Sequence, residues 1–155
     1  MKELEKYIKI SVDRFTSFEF VERDSGLIDK NLVIKLLENY RISNYANEHL
    51  ISTSSEEIKE ILNLLNEHRI LENYKNELNE NKIITGLVED LMINLKEYPK
   101  YGSIYYKIIN LKYLSKKDIT YEKIAKKLQL AKQTVLNKKD EAITIIVDLL
   151  TSKIK

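Results

Sequence analysis

The sequence predicts an all-α protein, and three observations carry that expectation. Three Gly and one Pro in 155 residues leave few of the turns an all-β chain requires. Leu, Ile, Lys, Glu and Asn dominate the composition, which favours helices joined by short connections. Apolar residues also recur at intervals of three and four along most of the chain, so that they share one helical face. The predicted architecture is an N-terminal helical region over 1–97, with scope for one long helix or a coiled coil. A C-terminal helix-turn-helix domain over 98–155 follows it.

The first predicted helix covers residues 1–22, with Leu4, Tyr7, Ile8 and Val12 on one side. Asp24-Ser25-Gly26 reads as a break. Asp29 can cap a second helix whose apolar positions are Leu32, Val33, Leu36, Leu37 and Tyr40. The segment 44–47, with Asn at both ends, weakens the helical signal, so continuation of this helix to Leu50 stays open. Ile51-Ser52-Thr53-Ser54-Ser55 interrupts the pattern. Ser54 followed by Glu57 fits a capping box, in which hydroxyl and carboxylate satisfy each other's backbone N–H groups. Glu56, Glu57 and Glu60 suit the positive end of the helix dipole, and that role accounts for them better than a metal or catalytic site.

From Glu56 to Glu97 little forces the chain to stop being helical. A continuous helix of that length would extend about 60 Å, longer than a small domain is wide. Ile58, Ile61, Leu65, Leu71, Tyr74 and Leu78 form a loose stripe that His68 and Lys75 interrupt. Ile84, Leu87, Val88, Leu91 and Leu95 resume it, and Asn79-Glu80-Asn81 and Gly86 are the expected bends. An ordinary bundle is favoured here over pairing with a second copy, which makes a homodimer the lesser alternative.

Pro99 ends the preceding helix, because Tyr98 is biased away from helical backbone. Gly102-Ser103 opens another helix, with Ile104, Tyr105, Ile108, Ile109 and Lys112 in register. Six of the ten tyrosines fall between 98 and 121. Tyrosines beside lysines can stack on single-stranded bases. Packing with a wet hydroxyl is favoured instead, since Tyr105 and Tyr113 occupy positions a core would claim.

Residues 120–143, TYEKIAKKLQLAKQTVLNKKDEAI, are the most informative stretch. Thr120 is the expected N-cap of a short helix whose buried face is Ile124, Ala125 and Leu128. Its hydroxyl can also meet a phosphate at the helix N-terminus. Leu130 supplies an apolar residue where the chain turns back, and small Ala125 lets two helices cross closely. A second helix begins near Lys132, with Val135, Leu136, Ala142, Ile143, Ile146, Val147 and Leu150 on one stripe. Gln133, Thr134, Asn137 and Glu141 fall opposite that stripe, with Lys132 at the open end and Lys138 on the flank. The amides at Gln133 and Asn137 each offer a donor and an acceptor suited to adenine in the major groove. Lys132 is placed to reach guanine or phosphate, while Thr120, Thr134 and Lys138 are assigned to the backbone.

Charge points the same way. Residues 1–95 hold 12 Lys/Arg against 18 Asp/Glu, a net −6, whereas residues 96–155 hold 14 against 6, a net +8. A basic end suits a polyanion and an acidic end some other task. Zero Cys excludes disulfides, thiol catalysis and thiolate metal sites. His49 and His68 have no partner at metal spacing, and three glycines cannot build a phosphate loop. No Ser lies in a nucleophile elbow. No enzyme activity, metal or cofactor is therefore expected. The charged start, MKELEKYIKI, lacks a signal-peptide core, and no apolar run spans a membrane, so a cytoplasmic protein is expected.

The 96–150 block resembles the helix-turn-helix of sigma-factor region four. Its counterparts are Ile124-Ala125, Leu130-Ala131-Lys132-Gln133-Thr134-Val135 and Glu141-Ala142. With Tyr98-Pro99-Lys100-Tyr101-Gly102 and Tyr105-Tyr106-Lys107-Ile108-Ile109, it is similar to the ArpU/RinA-type transcriptional regulators of Gram-positive phages and prophages. That resemblance implies a small activator of late phage genes that binds double-stranded DNA, with RNA polymerase as a candidate partner. Three residues depart from the pattern: Gln129 stands where Gly is usual, Ala131 replaces Ser, and Lys139 interrupts the apolar stripe. Loss of the Ser hydroxyl removes a cap worth about 1 kcal/mol. The alternative expectation is a helical interaction adaptor without DNA affinity. A complete sigma factor is disfavoured, because the acidic half lacks a basic, aromatic promoter-melting region.

Overall fold

The computed structural model describes residues 28–154. The expected helix over 1–22 and the break at Asp24-Ser25-Gly26 lie outside them. The described residues form helices and connections, without a strand. In order these are α1 (Lys30–Glu38), α2 (Tyr40–Glu48), α3 (Glu56–Glu67), a 3₁₀ turn (Ile70–Tyr74) and α4 (Glu80–Lys96). Then follow α5 (Gly102–Ile109) with a π turn (Asn110–Leu114), α6 (Tyr121–Leu128) and α7 (Lys132–Thr151). Among the described residues no helix is long and apolar enough to cross a membrane.

Local chemistry explains most boundaries. The Asp29 carboxylate accepts from the Leu32 N–H at 3.0 Å and starts α1, whose Leu32, Val33, Leu36 and Leu37 are buried. Asn39 separates α1 from α2. Its side-chain amide donates to the Lys35 carbonyl at 2.8 Å and to Glu57 at 3.0 Å, so the helical path resumes after a bend and runs to Glu48. The N-cap of α3 is Ser55, which accepts from the Ile58 N–H at 3.2 Å. This corrects the capping box expected at Ser54 and Glu57. Ser54 donates instead to Glu80, and Glu57 accepts from Asn39. Both are drawn away by partners distant in sequence.

Residues 56–97 are not one long helix. Arg69 adopts left-handed backbone at φ 60°, and after the 3₁₀ turn Asn79 caps α4 by accepting from Asn81 N–H at 3.0 Å. The chain thereby folds α4 back on α3, and the two stripes bury against each other and their neighbours rather than along an extended rod. Leu78, expected in the stripe, lies in this connection and is 91% exposed. Gly86 does not bend α4. Its missing side chain makes room for the Tyr74 ring, which would lie 3.2 Å from a Cβ there.

Two apolar clusters form the interior. The larger one joins α1, α3, α4 and α5 to the C-terminal half of α7 through Ala142, Ile143, Ile145, Ile146 and Leu150. Its members cross residue 97, so the division of charge is not a division of packing. Fully burying each such Leu or Ile contributes about 1.5–3 kcal/mol. The smaller cluster has Ile108, Ile124, Ala125 and Val135 at its centre, with Leu128 and Leu130 packed against it. At 20 residues, α7 is about 30 Å long and enters both clusters. Ile145 falls beside the expected stripe and is nevertheless buried, because α7 packs against α1 and α4 as well as α5.

Candidate nucleic-acid interface

The approach to α6 is held from two directions. The Arg41 guanidinium on α2 donates to the carbonyls of Lys112 at 2.8 Å, Lys117 at 3.2 Å and Ser115. The Lys112 and Ser115 carbonyls are at the helix end, where carbonyls lack partners within the helix, and the Lys117 carbonyl follows in the loop. The Lys112 ammonium meets Asp118 at 3.2 Å and the Ile119 carbonyl at 3.2 Å, and lies over the Tyr121 ring at 4.6 Å. The connection from Ser115 to Ile119 is thus clamped to both the α2 layer and the start of α6.

Thr120 caps α6 by accepting from the Lys123 N–H at 3.2 Å. The helix ends where Gln129 takes left-handed backbone at φ 59°, ψ 44°, the conformation Gly would adopt more cheaply. The Leu130 N–H then donates to the Ala125 carbonyl at 3.0 Å, and Leu130 turns inward onto the smaller cluster. Ala131 is extended at φ −66°, ψ 147° and contributes no side-chain cap to α7. Buried Ile124 and Ala125 of α6 and Val135 of α7 hold the two helices together.

The first turns of α7 leave Lys132, Gln133 and Asn137 exposed, with Thr134 and Lys138 half-buried. The Gln133 amide donates to the Asn137 side-chain oxygen at 3.0 Å, so the pair forms one polar surface. The Lys132 ammonium contacts Glu122 at 2.6 Å, across the bend between α6 and α7. That ammonium holds the Glu122 carboxyl below its ordinary range. Lys138 bends back over the Tyr101 ring at 3.7 Å and reaches Glu141 at 3.2 Å. Glu141 also accepts from the Tyr105 hydroxyl at 2.8 Å. Its carboxyl is therefore held low, by the Tyr105 hydrogen bond first and by Lys138 second. Burial, then Glu141, pushes the Tyr105 phenol up to about 12.

Of the six residues singled out in sequence, Gln133 and Asn137 share one open face, Lys132 is exposed at the start of the helix but turned to Glu122, and Thr134 is half-buried. Thr120 is engaged as a cap, and Lys138 is drawn towards Tyr101 and Glu141. Sequence reasoning missed Glu122, Arg41 and Tyr101. The Lys138–Glu141 pair is legible from its spacing of three. No local pattern announces Glu122 with Lys132, or Arg41 with the turn before α6, because both contacts depend on how helices cross. Lys139, the expected break in the stripe, sends its ammonium to Asp140 at 3.0 Å while its stem stays half-buried.

No family model matches this chain, and comparison with curated proteins and with solved structures finds no significant match. Among the described residues no group of three or more His, Cys, Asp or Glu is placed to hold a metal ion. His49 stacks on Tyr45 with ring centroids 4.0 Å apart.

A second surface is apolar. On the outer side of α2, Ile42 is 58% and Tyr45 56% exposed, beside exposed Leu50 and Ile51. A groove of about 590 Å³ runs from Tyr45 and His49 to Leu114 and Lys116, next to the Arg41 clamp.

Proposed function

We propose that this chain is a sequence-specific, double-stranded DNA-binding transcription regulator. In this reading α6, the three-residue bend and α7 act as a helix-turn-helix, and the first turns of α7 enter the major groove. The supporting observation is the exposed Gln133–Asn137 amide pair on a helix whose opposite side is anchored in two cores. Amides four residues apart on one open face have the donors and acceptors that base edges require. The +8 charge of residues 96–155 favours a polyanion. The resemblance of residues 96–150 to ArpU/RinA-type regulators adds the expectation of a phage or prophage late-gene activator in the cytoplasm. RNA polymerase and a second copy of the chain are the protein partners this reading allows.

Mobility-shift titration of the full chain on duplex DNA tests the proposal. Binding that weakens as salt rises supports it, and absence of binding even at low salt rejects it.

The apolar outer side of α2 favours a second reading, a helical adaptor that engages another protein. Light scattering with pull-down separates the two. A stable hetero-complex lost on Tyr45→Glu, without DNA retention, selects the adaptor.

A further inference from the structure

The lysines around the candidate reading face differ in one respect that the sequence does not show. Lys112, Lys132, Lys138 and Lys139 each lie within an ion pair, at 3.2, 2.6, 3.2 and 3.0 Å from Asp118, Glu122, Glu141 and Asp140. Lys116, Lys117, Lys123, Lys126 and Lys127 are exposed, and their ammonium groups have no ion pair or hydrogen bond among the described residues. Lys123, Lys126 and Lys127 share the side of α6 turned away from Ile124 and Ala125, and with Ile119 they line one shallow surface.

We propose that the unpaired lysines of α6, Lys123, Lys126 and Lys127, hold the phosphate backbone of a DNA duplex, while the lysines of α7 contribute little to that hold. The inference rests on the duplex-binding reading and names the surface that supplies its electrostatic attraction. A phosphate brought to Lys132 also approaches the Glu122 carboxylate, so attraction and repulsion largely offset each other. Asp118 and Glu122, the carboxylates nearest in sequence to the free lysines, are turned to Lys112 and Lys132. Positive potential therefore concentrates on the α6 arc. The helix sets three ammonium groups along it, and each phosphate neutralised by one releases condensed counterions.

The test uses the full chain and fluorescence anisotropy on random-sequence duplex across a salt series. The Lys123→Gln, Lys126→Gln, Lys127→Gln triple variant is compared with a Lys30→Gln, Lys75→Gln, Lys82→Gln triple, which removes the same charge from exposed positions elsewhere. The α6 triple should bind all duplexes more weakly and flatten the log affinity against log salt slope by about 2.7, or 0.9 per lysine. The control triple should keep the wild-type slope. An α6 triple with an undiminished slope overturns the proposal while leaving duplex binding intact, as does a control triple that loses as much. A wild-type chain that binds no duplex at low salt rejects the duplex reading, and this inference with it.

Discussion

The Tyr105 hydroxyl on α5 donates to the Glu141 carboxylate on α7 at 2.8 Å. The bond sits where α7 leaves the smaller cluster and enters the larger, and the same carboxylate holds Lys138 at 3.2 Å. One buried ring thereby sets the position of the acid that in turn holds Lys138 near the candidate reading face.

Stability responds to pH at both ends of this contact, at the acid end through the bond itself and at the alkaline end chiefly through burial of the phenol and then through the bond. The Glu141 carboxyl is depressed in the folded chain, so its contribution is present above its unfolded value, near 4.5, and is lost as pH falls through the lower folded value. The Tyr105 phenol is raised from 10.0 to about 12, so its contribution is complete below 10.0 and is lost as pH climbs towards 12. Thermal unfolding should show Glu141→Gln flattening the acid limb below about pH 4.5 and Tyr105→Phe flattening the alkaline limb. Limbs identical to wild type would remove the bond from the account of stability.

Gln133→Ala and Asn137→Ala should each weaken binding to a selected site by about 1–3 kcal/mol and change binding to random duplex little. Competition binding against both duplexes reads the difference. Equal losses on both would assign the amides to the backbone and take base reading away from α7.

Glu122→Gln should tighten duplex binding. The substitution removes a carboxylate and frees the Lys132 ammonium now 2.6 Å from it. The salt slope should steepen by about 0.9, the equivalent of one added phosphate contact. Unchanged affinity and slope would place Lys132 and Glu122 outside the footprint.

Arg41→Ala should lower folding stability by about 1.5–3 kcal/mol, since a charged donor to three carbonyls, two of them in partly buried bonds, is lost. Arg41→Lys should recover only part of this, because an ammonium cannot span the Lys112, Ser115 and Lys117 carbonyls as a planar guanidinium does. Urea unfolding midpoints give the comparison. Full recovery by Lys would mean that charge alone, without the fork geometry, holds the turn.

Features that depend on neighbours three or four residues away were legible. Asp29 and Thr120 cap the helices expected of them, and α7 starts at Lys132. Of the expected stripe, Val135, Ala142, Ile143, Ile146 and Leu150 are buried as their spacing requires while Leu136 and Val147 are half-buried, and Gln133 and Asn137 are exposed. Features decided by distant partners were not. Ser54 yielded the α3 cap to Ser55 because Glu80 takes its hydroxyl. The break after Glu67 rests on left-handed backbone at Arg69, a residue type without special freedom there.

Composition and periodicity, acting through local hydrogen bonds and the repeat of the helix, were enough by themselves to make the described residues all-helical, with a short helix, a bend and a long helix near the end. Tertiary packing alone decided that residues 56–97 double back, that the end of α7 shares a core with α1 and α4, and which lysines keep an uncompensated charge. The reason is reach. A side chain meets its helical neighbours wherever the helix forms, but it meets a carboxylate on another helix only after the crossing of those helices has been set.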